Sequence, residues 1–129
     1  MLEIKPIQTK EDQKEICGLC GVEFDPDCFA YGAKENGKLL GISQFRILGE
    51  YAVIYDLANT DEVDDLEALI LMGRATLNFI DLSGIKNAVI KTENRNLPKI
   101  LGFEKDDNGV YKLNLEGYFE SPCQKNKRR

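Results

Sequence analysis

The sequence contains no histidine and no tryptophan among its 129 residues. Without histidine, Ser-His-Asp and Cys-His catalysis are excluded. Basic residues are also in the minority, because 17 Lys and Arg stand against 22 Asp and Glu, which gives a formal net charge of −5. Proteins that bind nucleic acids neutralise phosphates with clustered Lys and Arg. The composition therefore argues against nucleic acid as a partner.

Long apolar runs are absent as well. No run approaches the roughly 20 residues that a helix needs to cross a membrane, and the amino end, MLEIKPIQTKEDQ, alternates charges where a signal peptide has an apolar core. We therefore expect a cytoplasmic protein with no membrane partner. With 43% apolar residues, the chain can form one domain with a hydrophobic core but not two. We assign residues 1–119 to that domain and residues 120–129 to a basic, flexible tail.

Four cysteines are present, and in a cytoplasmic protein they are most simply reduced thiols. Cys17 and Cys20 form a CxxC pair, a spacing that also occurs in zinc sites. A zinc site would need Cys28 and Cys123 as further ligands, at irregular spacings, because no histidine is available. We therefore expect reduced, metal-free cysteines on a helix face, with a zinc site as the alternative.

The pattern of apolar residues predicts an α+β fold with the order β-α-β-β-β-α-β-α-β. The strongest local signal is Asn36-Gly37, a dipeptide that suits a tight hairpin because both residues tolerate positive φ. The next strand is apolar on both faces apart from Asp56, which indicates a central position in the sheet. A helix with apolar residues on most sides follows it. The predicted elements are strand 2–8, helix 10–22, hairpin 29–49, strand 50–58, helix 64–82, strand 86–92, helix 97–101 and hairpin 103–115.

The two strands on either side of the long helix should be parallel neighbours, because a helical crossover joins parallel strands of one sheet. The hairpins make antiparallel pairs. The sheet is therefore predicted to be mixed, with one parallel pair formed by strands 50–58 and 86–92.

The order of these elements and the segment 100–105, ILGFEK, resemble the GNAT superfamily of acyl-CoA-dependent N-acetyltransferases. The resemblance covers residues 2–119. It implies that acetyl-CoA, or another acyl-CoA, lies between the ends of the two parallel strands, which should diverge at Ala58 and Glu93. It also implies that pantetheine pairs with the backbone at these ends, namely with Leu57, Ala58, Asn59, Glu93 and Asn94.

The start of the long helix departs from that superfamily. Members carry glycines there, in the pattern (Q/R)xxGx(G/A), whose bare N–H groups bind the pyrophosphate of CoA, but the aligned positions here are Asp64 and Leu66. Asp64 and Glu67 have the spacing of a capping box. We therefore expect the helix start to be occupied by its own carboxylates, with a bound cation as a minor alternative. The acidic residues at this junction are Asp61, Glu62, Asp64, Asp65 and Glu67.

The catalytic residues that the resemblance implies are incomplete. Many members place a tyrosine four residues before the glycine of LGF, where its hydroxyl protonates the leaving thiolate, and that position is Pro98 here. Asp56 and Glu50 are the candidate bases that would remove a proton from an ammonium group, directly or through water. For both carboxylates the alternative is plain solvation or pairing with a neighbouring Lys or Arg.

Two functions from different classes remain open. The first is an N-acyltransferase that moves an acyl group from acetyl-CoA or another acyl-CoA to a small-molecule amine, in a pocket lined by residues such as Tyr31, Phe45, Tyr51 and Tyr55. These aromatic residues also fit an ordinary core. The second is a GNAT-fold protein without turnover that serves as a binding or dimerisation module, with the apolar helix as a surface for a homodimer.

Overall fold

The computed structural model describes residues 1–92 and 96–119, so the predicted site residues Glu93 and Asn94 and the predicted tail 120–129 lie outside these ranges. Seven strands of the described chain form one mixed sheet of order β1-β2-β3-β4-β5-β7-β6, which confirms the predicted α+β class. The elements are β1 (Leu2–Pro6), α1 (Lys10–Leu19), β2 (Phe29–Glu35), β3 (Lys38–Leu48), β4 (Tyr51–Asn59), α2 (Leu66–Leu82), β5 (Asn87–Ile90), α3 (Leu97–Leu101), β6 (Glu104–Lys105) and β7 (Tyr111–Asn114).

Strands β4 and β5 are parallel neighbours, with register pairs that run from Tyr51–Asn87 to Ile54–Ile90. Helix α2 connects them as a crossover. Every other strand pair in the described sheet is antiparallel. The predicted topology, one parallel pair in a mixed sheet, is therefore confirmed.

The β2–β3 hairpin turns at Asn36 and Gly37, whose φ angles are 53° and 82°. Both values lie in the left-handed region that a two-residue hairpin requires, which explains the Asn-Gly dipeptide. Gly49, at φ 72°, and Glu50 form the next turn. Strands β2, β3 and β4 thus form a continuous meander that carries the chain to the parallel pair.

Helix α2 covers one face of the sheet and closes the main hydrophobic core. Its residues Met72, Leu77 and Ile80 are fully buried in one cluster with Ile54 of β4 and Ile90 of β5. One side of the helix is not covered by the described residues, however, because several of its leucines are exposed. The sequence had predicted a helix covered on most sides, by the sheet and by either other elements or a partner chain. The exposed leucines are Leu66, Leu71 and Leu82.

Helix α1 lies on the opposite face of the sheet, where Cys17 and Cys20 pack with Ile42 of β3. The helix ends at Leu19, three residues earlier than predicted. Gly21 explains this early end, because its φ of 67° is the left-handed conformation that terminates helices. A loop of residues 20–28 then leads to β2 without a second helix.

Cys17, Cys20 and Cys28 are free and buried. Burial raises the pKa of Cys17 to about 11 and the pKa values of Cys20 and Cys28 to about 12. Across residues 1–92 and 96–119, no three or more side chains of His, Cys, Asp or Glu are grouped as metal ligands. In the same ranges, no helix has the length and apolar character to cross a membrane.

Candidate active site

The parallel strands β4 and β5 diverge halfway along β4. Their last register pair is Ile54–Ile90, followed by one more bond in which Lys91 N–H donates to the Ile54 carbonyl at 2.8 Å. Strand β4 continues to Asn59, paired there only with β3 among the described strands. The divergence therefore begins four residues before Ala58, where the sequence had placed it. Leu57, Ala58 and Asn59 lie along an edge of β4 that no described strand pairs.

A β-bulge at Tyr55 accounts for this early divergence. Phe45 of β3 pairs with Ile54, and the next residue, Gln44, pairs with Asp56, so Tyr55 is an extra residue on β4. A bulge bends its strand and increases the local twist. β4 thus turns away from β5 at the point where their pairing stops. The ring of Tyr55 lies beside the opening, with Lys91 Nζ 5.4 Å from its centroid, close enough for a cation–π contact.

Asp56 follows the bulge and projects from the α1 face of the sheet. Its Oδ2 accepts a hydrogen bond from Gln44 Nε2 at 2.8 Å. Burial raises the pKa of Asp56 above its usual value, the Gln44 hydrogen bond lowers it, and the nearby charges of Glu23 and Asp25 raise it further. A carboxylate with a raised pKa is a stronger proton acceptor, which suits a general base.

The structure separates the two predicted bases. Glu50 is exposed in the β3–β4 turn, at the closed end of the parallel pair, whereas Asp56 lies at the open end. Asp56 lies six positions after Glu50 along the chain, or roughly 20 Å at about 3.3 Å per residue. Asp56 is therefore the candidate that lies beside the divergence, and Glu50 does not share its site.

The start of α2 is closed by a carboxylate, but not by the predicted one. Asp65, not Asp64, is the N-cap, and its Oδ1 accepts a hydrogen bond from Ala68 N–H at 3.0 Å. The reason lies in Asn59 at the end of β4. Its side chain accepts from Asp65 N–H at 3.0 Å and donates to the Leu40 carbonyl at 3.1 Å, which fixes where the helix begins. Asn59 thereby connects the two ends of the loop 60–64 by hydrogen bonds.

Three backbone N–H groups of this loop are also engaged. Thr60 N–H donates to the Leu40 carbonyl, Asp61 N–H to the Leu19 carbonyl and Val63 N–H to the Thr60 carbonyl, at 3.0 to 3.1 Å. A helix start binds phosphate when its N–H groups are free to approach the anion. Here three loop N–H groups and the Ala68 N–H are taken, and the carboxylates of Asp61, Glu62 and Asp64 are exposed, so the residues present do not fit the pyrophosphate of CoA.

Helix α3 supplies no catalytic hydroxyl from the position where the superfamily has tyrosine. Pro98 is buried in its first turn, and the helix ends at Gly102 with φ 101°. The tyrosine found near this helix is Tyr118, whose hydroxyl donates to the Leu101 carbonyl at 2.6 Å. Tyr118 thus closes the carboxyl end of α3, and burial raises its pKa.

The four aromatic residues proposed from the sequence for an acceptor pocket do not lie together. Tyr31 and Phe45 stack at 6.1 Å and both contact Phe79 of α2, so they belong to the core on the far face of the sheet. Tyr51 lies at the closed end of β4. Tyr55 alone among the four lies beside Asp56.

Sequence reasoning missed two residues that shape the site, Gln13 and Gln44. Both are fully buried, and Gln44 bonds directly to Asp56. A weak signal was available, because Gln44 lies in the middle of the mostly apolar strand segment LLGISQFRIL, whose other polar residues are Ser43 and Arg46. A buried amide on a strand requires partners, which points to a second polar group nearby.

Solved structures of acetyltransferases share the fold of this chain. The PaiA N-acetyltransferase from Thermoplasma acidophilum in complex with coenzyme A is 13% identical, with a TM-score of 0.67 over 88% of this chain and 99% of that chain. The IAA acetyltransferase from Bacillus cereus is 16% identical, with a TM-score of 0.69 over 88% and 97%. A GNAT family acetyltransferase from Elizabethkingia anophelis with acetyl-CoA bound is 15% identical, with a TM-score of 0.66 over 88% and 98%.

These likenesses confirm the fold that the resemblance implied: the chain has the GNAT fold. No protein-family model matches the sequence, and a comparison with curated proteins finds no similar sequence.

Proposed function

We propose that this GNAT-fold chain is an N-acyltransferase of the GNAT superfamily, which transfers an acyl group from acetyl-CoA or another acyl-CoA to a small-molecule amine. One observation carries the proposal: β4 leaves β5 at the Tyr55 bulge, and Asp56 lies beside the opening. The β4 edge at Leu57, Ala58 and Asn59, which no strand of the described residues pairs, offers backbone groups to the amide groups of a pantetheine arm. The solved acetyltransferases named above support a thioester donor for this fold.

The chemistry needs one proton acceptor. An amine reaches the site as an ammonium ion, and Asp56 removes a proton from it, directly or through one water molecule. The free amine nitrogen then attacks the carbonyl carbon of the thioester, so that a C–N bond forms and the C–S bond breaks. The thiolate leaves with the electron pair of the C–S bond, and the second nitrogen proton passes to it through solvent. Holding the two reactants together supplies much of the acceleration.

The surroundings of Asp56 favour a cationic acceptor. Glu23 and Asp25, in the loop that follows α1, lie close enough to Asp56 to raise its pKa. Their negative potential attracts an ammonium group and opposes an anionic acceptor. A small primary amine is therefore the acceptor class that we propose, in agreement with the prediction from the sequence.

The closed start of α2 sets the expected affinity for the donor. A diphosphate placed there would meet exposed carboxylates, each repulsion being on the order of 1 kcal/mol near a solvated surface. We therefore expect weak binding of acetyl-CoA, with affinity coming from the pantetheine arm and the acyl group. The donor would be held at its reactive end and not at its phosphates.

The acidic, capped start of α2 also favours a second candidate function, a binding or dimerisation module without turnover. In that case the divergence of β4 and β5 is inherited from the fold and serves no donor. The exposed leucines of α2, including Leu71 and Leu82, offer a surface for a homodimer. A homodimer and a cytoplasmic location stay predictions from the sequence.

Calorimetric titration with acetyl-CoA and an assay of CoA release with a panel of primary amines test the proposal together. We expect a weak but saturable interaction and amine-dependent release of CoA, which Asp56→Asn abolishes while the protein stays folded. Glu50→Gln is the matched control and should keep the activity of the wild type. Absence of both binding and release at millimolar acetyl-CoA would favour the binding module.

A further inference from the structure

Beneath α1, four side chains form a continuous line of hydrogen bonds that ends at Asp56. Lys10 Nζ donates to Gln13 Oε1 at 3.1 Å, and Gln13 Nε2 donates to Gln44 Oε1 at 2.8 Å. Gln44 Nε2 donates to Asp56 Oδ2 at 2.8 Å. Gln13 and Gln44 are only 1% and 0% exposed. Buried amides are retained only when their polar atoms are paired, and these are.

The loop between α1 and β2 fixes the orientation of the Gln44 amide. The Glu23 carbonyl accepts from Gln44 Nε2 at 2.8 Å, and Asp25 N–H donates to Gln44 Oε1 at 3.3 Å. A carbonyl can only accept and an N–H can only donate. Flipping the amide would place acceptor against acceptor and donor against donor. Gln44 must therefore present an N–H to Asp56.

We propose that Gln44 is a positioning residue for Asp56: it holds the carboxylate by Oδ2 and leaves Oδ1 to take the proton of the acceptor amine. The inference rests on the proposed acyl transfer and adds a residue that does not touch either substrate. Among residues 1–92 and 96–119, no hydrogen bond reaches Oδ1. The same amide binds the backbone of Glu23 and Asp25. It therefore holds the loop that follows α1 and the carboxylate of Asp56 in one rigid unit.

Gln44 also opposes the other influences on Asp56. Its N–H lowers the pKa of Asp56, whereas burial and the neighbouring carboxylates raise it. Removing this donor should therefore raise the pKa of Asp56 further and move the acidic limb of the activity profile to higher pH. The titratable groups that face Asp56 from α1 and the following loop are Glu23, Asp25, Cys17 and Cys28.

Two variants and one control separate positioning from a purely structural role. Gln44→Met keeps the volume of the side chain and removes the donor, and Gln44→Glu keeps its shape in case the first variant does not fold. Thr76→Val is the control. It removes an equally buried hydrogen bond, the one between Thr76 Oγ1 and Ser43 Oγ at 2.7 Å, on the opposite face of β3.

The measurements are kcat/KM against pH and the titration of the Asp56 carboxyl carbon by NMR, assigned from its absence in Asp56→Asn. We expect both midpoints to rise by about one pH unit in Gln44→Met, the effect of one hydrogen bond to a charged group. Gln44→Glu should shift them in the same direction, since a second carboxylate opposes ionisation of the first. Thr76→Val should lower stability and leave both midpoints in place.

A Gln44→Met enzyme that is slower by the same factor at every pH, with an unchanged Asp56 titration, would show that Gln44 is only structural. Failure of the proposed function has a different signature, namely a wild type that releases no CoA with any amine. In that event the NMR titration still decides whether Gln44 sets the ionisation of Asp56.

Discussion

Gly41 of β3 lies against the carbonyl oxygen of Ala58 on β4, so closely that a Cβ on Gly41 would stand 2.4 Å from that oxygen. The same Cβ would be 2.9 Å from the methyl group of Met72. The first contact is with backbone, which cannot swing aside as a side chain can. Glycine at this position therefore lets the end of β4 pack against β3 and α2, while the other edge of β4, the candidate donor edge, has no partner among the described strands.

Gly41→Ala should destabilise the protein by about 3 kcal/mol, because overpacking a filled site costs roughly 1–3 kcal/mol and here the backbone itself must move. Gly18→Ala is the matched control: a Cβ at Gly18 meets nothing within 4 Å, and the residue lies in α1. That control should gain roughly 0.5–1 kcal/mol from helix propensity. Urea denaturation of both variants provides the measurement, and equal stability of Gly41→Ala and wild type would contradict the packing described above.

Asp56→Asn should abolish acyl transfer and yet raise the melting temperature at neutral pH. The pKa of Asp56 is raised by folding, so between its unfolded and folded values the native protein keeps a proton that the unfolded chain has lost. Stability from this group is therefore present below the unfolded pKa and declines as pH rises through that window. Melts from pH 3 to pH 8 should show the advantage of Asp56→Asn growing with pH, and an advantage confined to acid pH would contradict this sign.

Asp65→Ala should destabilise the protein by about 1 kcal/mol, the usual cost of losing an N-cap, which lowers the melting temperature by roughly 4 °C for a chain of this size. Asp65→Asn keeps the cap, because asparagine caps as well as aspartate, and removes one negative charge. The asparagine variant should therefore melt near the wild type and bind acetyl-CoA several-fold more tightly. Strong stabilisation of the wild type by acetyl-CoA in physiological salt would mean that the α2 start does accept phosphate.

The thiols of Cys17, Cys20 and Cys28 should be unreactive in the folded protein. With a pKa of about 11, Cys17 holds only about a thousandth of its population as thiolate at pH 8, and the other two hold less. In a Cys123→Ser background, a disulfide reagent should label none of the three within minutes and all of them in guanidinium chloride. Elemental analysis of the same preparation should find less than stoichiometric zinc; rapid labelling or one tightly held zinc per chain would refute this prediction.

Local patterns were sufficient to predict the architecture. Asn36-Gly37 required a tight turn, and the crossover helix required a parallel pair, whatever the rest of the chain did. The site depends on distant contacts that such patterns do not encode. The N-cap is Asp65 and not the predicted Asp64, because Asn59, at the end of β4, binds the Asp65 backbone.

The same limit explains the errors in the site. A bulge is defined by the pairing of two strands, because one strand carries a residue that has no partner on the other. The Tyr55 bulge and the early divergence could therefore not be predicted from the sequence of β4 alone. Glu50 and Asp56 looked equivalent as carboxylates on one strand, although the parallel pairing places them at opposite ends. Gln44 carried no sign of its partner, because Asp56 is twelve residues away along the chain.

Tyr55 is one residue more than the pleat of β4 requires. Ile54 and Leu57 both belong to the core on the α2 face. Of the two residues between them, only Asp56 has a partner on β3. Deleting the Tyr55 codon would leave Asp56 and Leu57 on their present faces and restore an unbroken ladder with β3. A sheet of this kind can thus gain or lose the bulge beside its parallel pair by one codon inserted or deleted, while its core residues keep their faces.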